Sequence, residues 1–296
     1  MTLFVDTAAP AAPAVTPALR LAGMTVFSRR AERLTTLAAD HPMRDFLLFC
    51  AALARAQHAC LATRVEHAVA DSASLRQLLT LLQRHLDVEL PPDSHSALLC
   101  LLALDDAALQ TLADTLRHGQ YDAHSPLAAA WPLLGAALQV QATIVVRQQD
   151  IAALAAGETA CCPACGGLPV ASVLRRGDSG HAVRHVCCSL CASEWHVSRV
   201  KCVACSNTRQ LQYRSLASRD AAAPQPDRKQ PHAHRGTQEL ECCDSCHGAL
   251  KVVSRLQDAN ADAFADDVAS LALDLLAGDA GYGRIGFNPY FLPAQD

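Results

Sequence analysis

Four Cys-x-x-Cys pairs fall within one stretch of the chain: Cys162/Cys165, Cys188/Cys191, Cys202/Cys205 and Cys243/Cys246. A tetrahedral thiolate site takes four sulfurs, and two such pairs supply them. The eight cysteines therefore predict two closed four-cysteine sites, each for one metal ion, iron or zinc. The two-residue spacing makes a tight knuckle that aims both sulfurs at one ion and turns backbone N–H groups towards them. Gly166, directly after Cys165, suits a knuckle that closes with positive φ. A lone Cys-x-x-Cys is also a redox dithiol motif, but four in one segment read as metal sites.

Sequential pairing of the motifs leaves intervals of 22 and 37 residues, each holding its own strand-like segment, as in a rubredoxin or zinc ribbon. A cross-braced pairing, first with third and second with fourth, meets the same ligand count; the sequential one is favoured. Four thiolates leave no open position for water, which argues against catalytic zinc. An electron-transfer iron site uses the same ligands and stays open. Residues 158–256 are polar and poor in large apolar side chains, too few for a sizeable core of their own. A four-sulfur site contributes roughly 10 kcal/mol or more to folding, comparable to the stability of a small domain. Two structural staples are the simplest reading. Loss of Cys162 and Cys165 is expected to release one ion and loosen 158–256 while the helical half stays folded. Trp195, between the sites, is expected to shield a cluster.

The 296 residues suit about two domains, and 51% are hydrophobic against 4% aromatic, so much of the core must be Ala, Leu and Val. The formal net charge is -4. Residues 158–256 hold thirteen Lys and Arg against eight Asp and Glu, a balance of +5. Eight thiolates and two divalent ions bring this to +1, not a phosphate-binding field. A zinc-ribbon nucleic-acid binder is thus a weaker alternative. Fourteen cysteines, eight of them in metal spacing, with no secretion signal ahead of them, predict a reducing cytoplasm. Arg29-Arg30 invites a twin-arginine export reading, but no apolar stretch follows it. The apolar run Leu127–Val146 is interrupted by Pro132, Gly135, Gln139, Gln141 and Thr143, and predicts a buried core helix rather than a membrane span.

The positioning elements follow from periodicity. Residues 1–18 are expected to be disordered. Residues 19–157 predict an all-α bundle of about six helices, including Arg29–Ala39, Met43 to about Ala70, Leu75–Leu86, one capped by Asp93 or Ser94, one capped by Asp105, and a long one ending near Gly157. Cys50, Cys60 and Cys100 sit in apolar helical runs and are expected to be buried thiols. His41, His58, His67 and His85 are expected at the surface or in caps. Within 158–256, Pro169–Leu174, His181–Val186, Glu194–Val200 and Leu211–Leu216 read as short strands. Residues 217–238 read as an exposed loop whose His232 and His234 are solvated. Residues 257–296 predict a helix over Ala261–Leu276, with Phe264, Val268, Leu271, Leu275 and Leu276 on one face, and a docked apolar tail. The fold class is α plus small β. No Ser/His/Asp triad, phosphate-cradling loop or open metal site is present, and no enzymatic turnover is expected.

The order of motifs resembles a known family. Arg29-Arg30-Ala31-Glu32-Arg33-Leu34 and a run ending Ala56-Gln57 precede Cys162-Pro163-Ala164-Cys165-Gly166-Gly167-Leu168-Pro169. Then come Cys188/Cys191, Glu194-Trp195-His196, Arg199, Lys201 and Cys202/Cys205. Cys243/Cys246, Asp266-Asp267, Ser270, Asp274, Gly281, Arg284 and Asn288-Pro289 complete the pattern. This is similar to the formate dehydrogenase accessory protein family, FdhE, over residues 27–293. The resemblance implies a cytoplasmic maturation factor that contacts the catalytic subunit of a respiratory formate dehydrogenase before export. It also implies rubredoxin-like metal modules, associated with iron, on the eight paired cysteines. Glu194, Trp195, His196 and Arg199 are the candidate partner-binding surface; inter-site packing is their alternative role. Cys161, Cys187, Cys242 and the 217–238 loop depart from the family pattern. A rubredoxin-like electron carrier remains the other reading of the ligand set.

Overall fold

The computed structural model describes residues 18–63, 69–150, 154, 158–177, 180–215 and 238–291. The expected disorder of 1–18 falls, but for Ala18, outside these residues, as do His67 and nearly all of the 217–238 loop. Among these residues the first half holds six α-helices described over their whole length: α1 (Val26–Leu37), α2 (Arg44–Ala62), α3 (Ser72–His85), α4 (Pro92–Ala103), α5 (Asp106–Arg117) and α6 (Trp131–Arg147), the last preceded by a 3₁₀ turn at Ala128–Ala130. Apolar spacing builds each of them. On α2, Leu47, Cys50, Leu53, Ala54, Cys60 and Leu61 are buried, and its alanines let α1 and α6 approach closely. Helix α6 buries nearly all its length, Gln139 and Gln141 included. Both α2 and α6 are long and apolar enough to cross a membrane, and both are packed into the core instead.

Several boundaries differ from the sequence reading. Helix α2 ends at Ala62, short of Ala70, where Thr63 Oγ1 donates to the carbonyl of Cys60 at 2.8 Å. Helix α6 ends at Arg147, well before Gly157. Helix α4 starts at Pro92 without a side-chain cap, so neither Asp93 nor Ser94 plays that part. Asp105 does cap α5, accepting from the Ala108 N–H at 2.8 Å. Cys50 and Cys60 are buried, and burial pushes both thiols up to about 12. Cys100 is exposed, beside Leu99 on the outer side of α4.

The remaining strands are β1 (Leu19–Arg20), β2 (Pro169–Arg176), β3 (Ala182–Cys188), β4 (Glu194–His196), β5 (Leu211–Ser215), β6 (Gln238–Cys243), β7 (Gly248–Ser254) and β8 (Gly283–Arg284). They form one sheet in the order β1-β4-β3-β2-β7-β6-β5, with β8 paired to β7. The order holds two antiparallel three-stranded units, β2-β3-β4 and β5-β6-β7, related strand by strand. A parallel pairing of β2 with β7, at Ser172–Leu174 against Val252–Ser254, joins them. No strand is expected from the sequence pattern over β6 or β7. The pattern also places Leu19 in the helical half, whereas Leu19 and Arg20 add a strand to β4.

Most of the sheet shares the core of the helices, and a smaller cluster of Leu240, Cys242, Ala249, Leu273, Ala277 and Tyr282 packs β6 and β7 against the C-terminal segment. Val170, Val173, Val186, Trp195 and Val253 belong to the same buried cluster as Phe27, Leu47, Leu53 and Leu134. The polar composition of 158–256 is thus offset by the helices that cover its apolar residues. At the C-terminus the expected single helix is two: α7 (Ala263–Val268) and α8 (Leu271–Asp279). Ser270 Oγ donates to the Asp266 carbonyl at 2.7 Å, and Lys251 Nζ donates to the Asp267 carbonyl at 2.8 Å. Diverted carbonyls end α7. The turn re-aims α8, so Leu273 and Ala277 are buried while Leu275 and Leu276 are exposed. The tail docks as expected as far as the described residues run, with Phe287, Asn288 and Tyr290 buried.

Candidate metal centres

The eight paired cysteines gather into two groups, Cys162/Cys165/Cys188/Cys191 and Cys202/Cys205/Cys243/Cys246, with all sulfurs of a group within 4.8 Å of one another. This is the sequential pairing; the cross-braced alternative is excluded by the geometry. Each group sits at the end of one three-stranded unit, and each knuckle precedes or follows a strand of it. In the first group Cys162 and Cys191 Sγ lie 3.6 Å apart, and Cys165 and Cys188 Sγ 3.4 Å. In the second the corresponding separations are 3.8 Å for Cys202/Cys246 and 3.6 Å for Cys205/Cys243. A tetrahedron of Zn–S bonds near 2.3 Å has edges of about 3.8 Å. The donor sets therefore fit a tetrahedral thiophilic ion, and they match iron as well as zinc.

The four knuckles share one backbone design. The residue after the second cysteine has positive φ each time: Gly166 at 74°, Ala192 at 54°, Ser206 at 62° and His247 at 54°. Only the first is glycine. The other three hold a left-handed conformation that costs about 1–2 kcal/mol each. The first cysteine N–H donates to the carbonyl five residues on, from Cys162 to Gly167 at 2.8 Å, Cys188 to Ser193 at 2.9 Å and Cys202 to Asn207 at 2.8 Å. Cys243 is paired with Gly248 in the β6–β7 ladder, at the same spacing. Gly167 is glycine for contact reasons, since a Cβ there would lie 2.9 Å from Cys188 Sγ.

The two sites differ in surroundings. Cys162, Cys188 and Cys191 are buried and Cys165 is partly covered, whereas Cys205 and Cys246 are exposed. Hydrogen bonds from Cys162, Cys188 and Cys191 pull the Cys165 thiol far below its ordinary value. Burial, above all, pushes Cys188 well up, and contact with Cys162 does the same for Cys191. In the second site the Asn207 N–H lowers Cys205 to about 7, while burial raises Cys246 to about 12. Each set thus holds one cysteine biased towards the thiolate, and a dication would bind the ligands as thiolates with release of protons.

A buried polar network ties the first site to the helices. Gln139 Nε2 donates to the carbonyl of Ser189, inside the second knuckle, at 2.8 Å. Gln139 Oε1 accepts from Gln57 at 2.8 Å and from Arg30 at 3.3 Å. Tyr290 donates to Gln57 and accepts from Arg30. The guanidinium of Arg30 lies 3.6 Å above the Phe264 ring. Sequence reading gave Arg30, Gln57 and Asn288-Pro289-Tyr290 no contact with one another; the network brings both ends of the chain to one knuckle.

The candidate partner surface is partly internal. Trp195 is fully buried and its Nε1 donates to the Thr159 carbonyl at 2.9 Å. Glu194 is buried too, bound bidentately by Arg175 at 2.6 Å and by Arg255 at 3.0 Å. Neither side chain is presented to a partner in this structure. His196 and Arg199 are partly exposed. Of the departing thiols, Cys187 and Cys242 are buried and Cys161 is exposed beside the first site.

Comparison with known proteins adds to this geometry. Three family models match in succession: "FdhE, N-terminal" over residues 15–77, "FdhE, central domain" over 161–199 and "FdhE, C-terminal domain" over 200–291. A protein FdhE homolog of Pseudomonas aeruginosa is 35% identical, with 97% of this chain and 96% of the relative covered. Protein FdhE of Escherichia coli is 32% identical over 91% of this chain and 89% of its own length. The crystal structure of the FdhE protein from Pseudomonas aeruginosa superposes with a TM-score of 0.76 at 31% identity. It covers 94% of this chain and 100% of that one.

Proposed function

The chain belongs to the FdhE family, and on that premise we propose a formate dehydrogenase maturation factor without turnover of its own. In this reading it binds the catalytic subunit of a respiratory formate dehydrogenase in the cytoplasm, before export. The observation that carries the reading is the pair of closed four-sulfur sets built into one sheet and tied to the helical half. Cys162, Cys165, Cys188 and Cys191 would hold one ion, and Cys202, Cys205, Cys243 and Cys246 the other. Each ion would supply the positive charge that keeps four thiolates together. Four sulfurs fill a tetrahedral shell and leave no place for a substrate oxygen. A module held this rigidly presents a shaped surface at low entropic cost on binding. His196 and Arg199 are the exposed part of the proposed recognition run.

The exposure of Cys205 and Cys246 favours a second reading for the second site alone, electron transfer through an iron ion, as in a rubredoxin. Affinity purification from the cytoplasmic fraction tests the main reading. The catalytic subunit should co-purify with the wild-type chain and be reduced with a His196→Ala/Arg199→Ala variant. Absence of that subunit from the wild-type eluate would contradict it.

A further inference from the structure

The Arg29-Arg30 doublet, the spare thiol Cys187 and the buried Glu194 meet in one place that the metal sites leave unexplained. They line a cleft of about 120 Å³ between β1, the start of α1, the β3–β4 knuckle and the loop at 255–263. Five arginines line it, Arg20, Arg29, Arg30, Arg175 and Arg255, against two carboxylates, Glu194 and Asp262, a balance of +3. Those carboxylates are already engaged. Glu194 accepts from Arg175 and Arg255, and faces Arg20 across the β1–β4 ladder. Asp262 Oδ1 accepts the N–H groups of Phe264 and Ala265 at 3.0 Å as the cap of α7, with Arg30 Nε 3.4 Å away.

Positive hydrogen-bonding capacity is left over. Arg30 is fully buried, and its Nη2 has no hydrogen-bond partner among the described residues; Arg20 Nε is in the same position. A buried charged donor without an acceptor is costly and calls for one. Arg29 has no ion-pair partner among the described residues. The twelve-residue helix α1 opens on the cleft through Gly23, Thr25 and Val26. Thr25 makes no side-chain cap, and the first turn holds no acid. Arg29, at the end of that turn, and Arg30, just after it, oppose the helix dipole, an arrangement that an anion at the same end would reverse. The cleft has room for a carboxylate or a phosphate group, not for a nucleotide.

We propose that this cleft is a binding site for one compact oxyanion, of the carboxylate or phosphate class, held by the guanidinium groups of Arg20, Arg29 and Arg30 at the N-terminus of α1. Planar guanidinium forks match both groups in geometry and charge. The site uses none of the metal-ligand cysteines, although Cys187 and Ala192 in its lining flank the second knuckle of the first centre, and it does not rest on the maturation reading. Calorimetric titration of the metal-loaded full chain with inorganic phosphate, and separately with acetate, at constant ionic strength set by chloride tests it. At least one of the two should bind saturably, one per chain. Affinity should fall about tenfold or more in Arg29→Gln, and further in Arg20→Gln/Arg29→Gln, as charge-assisted hydrogen bonds are lost. Metal content and the unfolding midpoint in the same chloride buffer without phosphate or acetate serve as the folding control, and Arg29 is exposed, so the single variant keeps the test open if the double one unfolds. No saturable binding of either anion up to about 20 mM, or equal binding by wild type and Arg29→Gln, would overturn the proposal.

Discussion

The eight sulfurs are placed by four copies of one turn, and three of those turns hold Ala192, Ser206 and His247 in a conformation that suits glycine. Such conformations persist where the surroundings over-determine them, and a bound ion would do so here. Protein purified without added metal or oxygen should carry two ions per chain by mass spectrometry, and Cys162→Ala/Cys165→Ala should carry one; one ion or fewer in the wild type would contradict the assignment. The two ions should also leave at different rates. Cys205 and Cys246 face solvent while Cys188 and Cys191 are buried, so a chelator should empty the second site first. Release followed with a chromogenic chelator should be biphasic, and only the slow phase should remain in Cys202→Ala/Cys205→Ala. The ligands and their pairing were legible because two-residue spacing is a local property. The difference in burial was not, since it depends on which helices cover each unit.

At the scale of elements, the C-terminal segment shows what pattern reading misses. Its apolar residues predicted one helix, but Ser270 and Lys251 capture the carbonyls that would continue it, and only tertiary contact brings Lys251 there. Asp267 is fully buried between Lys251, at 3.1 Å, and Arg284, at 2.6 Å. Burial alone would raise its carboxyl, but Arg284 and Lys251 outweigh this and hold it below the ordinary value. A depressed folded value stabilises above the unfolded value, near 3.9, and that contribution is lost as pH falls through the folded one. Asp267→Asn should therefore cost about 3 kcal/mol at neutral pH, leaving two buried cations short of a partner, and the deficit should shrink in acid. Urea denaturation at pH 7 and pH 3 checks both; equal deficits at the two pH values would contradict the ion-pair account. The tail gives a second check. Gly286 has φ 77°, and a Cβ there would meet the Pro169 carbonyl oxygen at 1.9 Å. Gly286→Ala should destabilise by about 2–4 kcal/mol, read as a lower urea midpoint; an unchanged midpoint would mean that the tail does not dock on β2. The helices of the first half were legible from their 3.6-residue stripes. β6 and β7 were not, because Gln238–Cys243 and Gly248–Ser254 carry few alternating apolar residues and take their burial from neighbours in the sheet.

For the whole molecule, sequence composition suggested a helical half that would survive loss of a metal site. The structure gives the two halves a shared main core, with Gln139 reaching into a knuckle and Arg184 joining β3 to Glu241 of β6. Helical and sheet signals should therefore unfold in one transition, and Cys162→Ala/Cys165→Ala should lower the midpoint of both. Circular dichroism at a helical wavelength, alongside Trp195 fluorescence in a Trp131→Phe background, would show separate transitions if the halves were independent. The central proposal is about the cell: a chain that carries two four-sulfur sets supports the activity of another enzyme. Formate dehydrogenase activity in a strain deleted for this gene, with enzyme transcripts measured alongside, tests it most directly. The account predicts that activity is lost while transcripts stay normal, and that a plasmid copy of the wild-type gene restores it. Normal activity in the deletion strain, with no paralogue expressed, would contradict it.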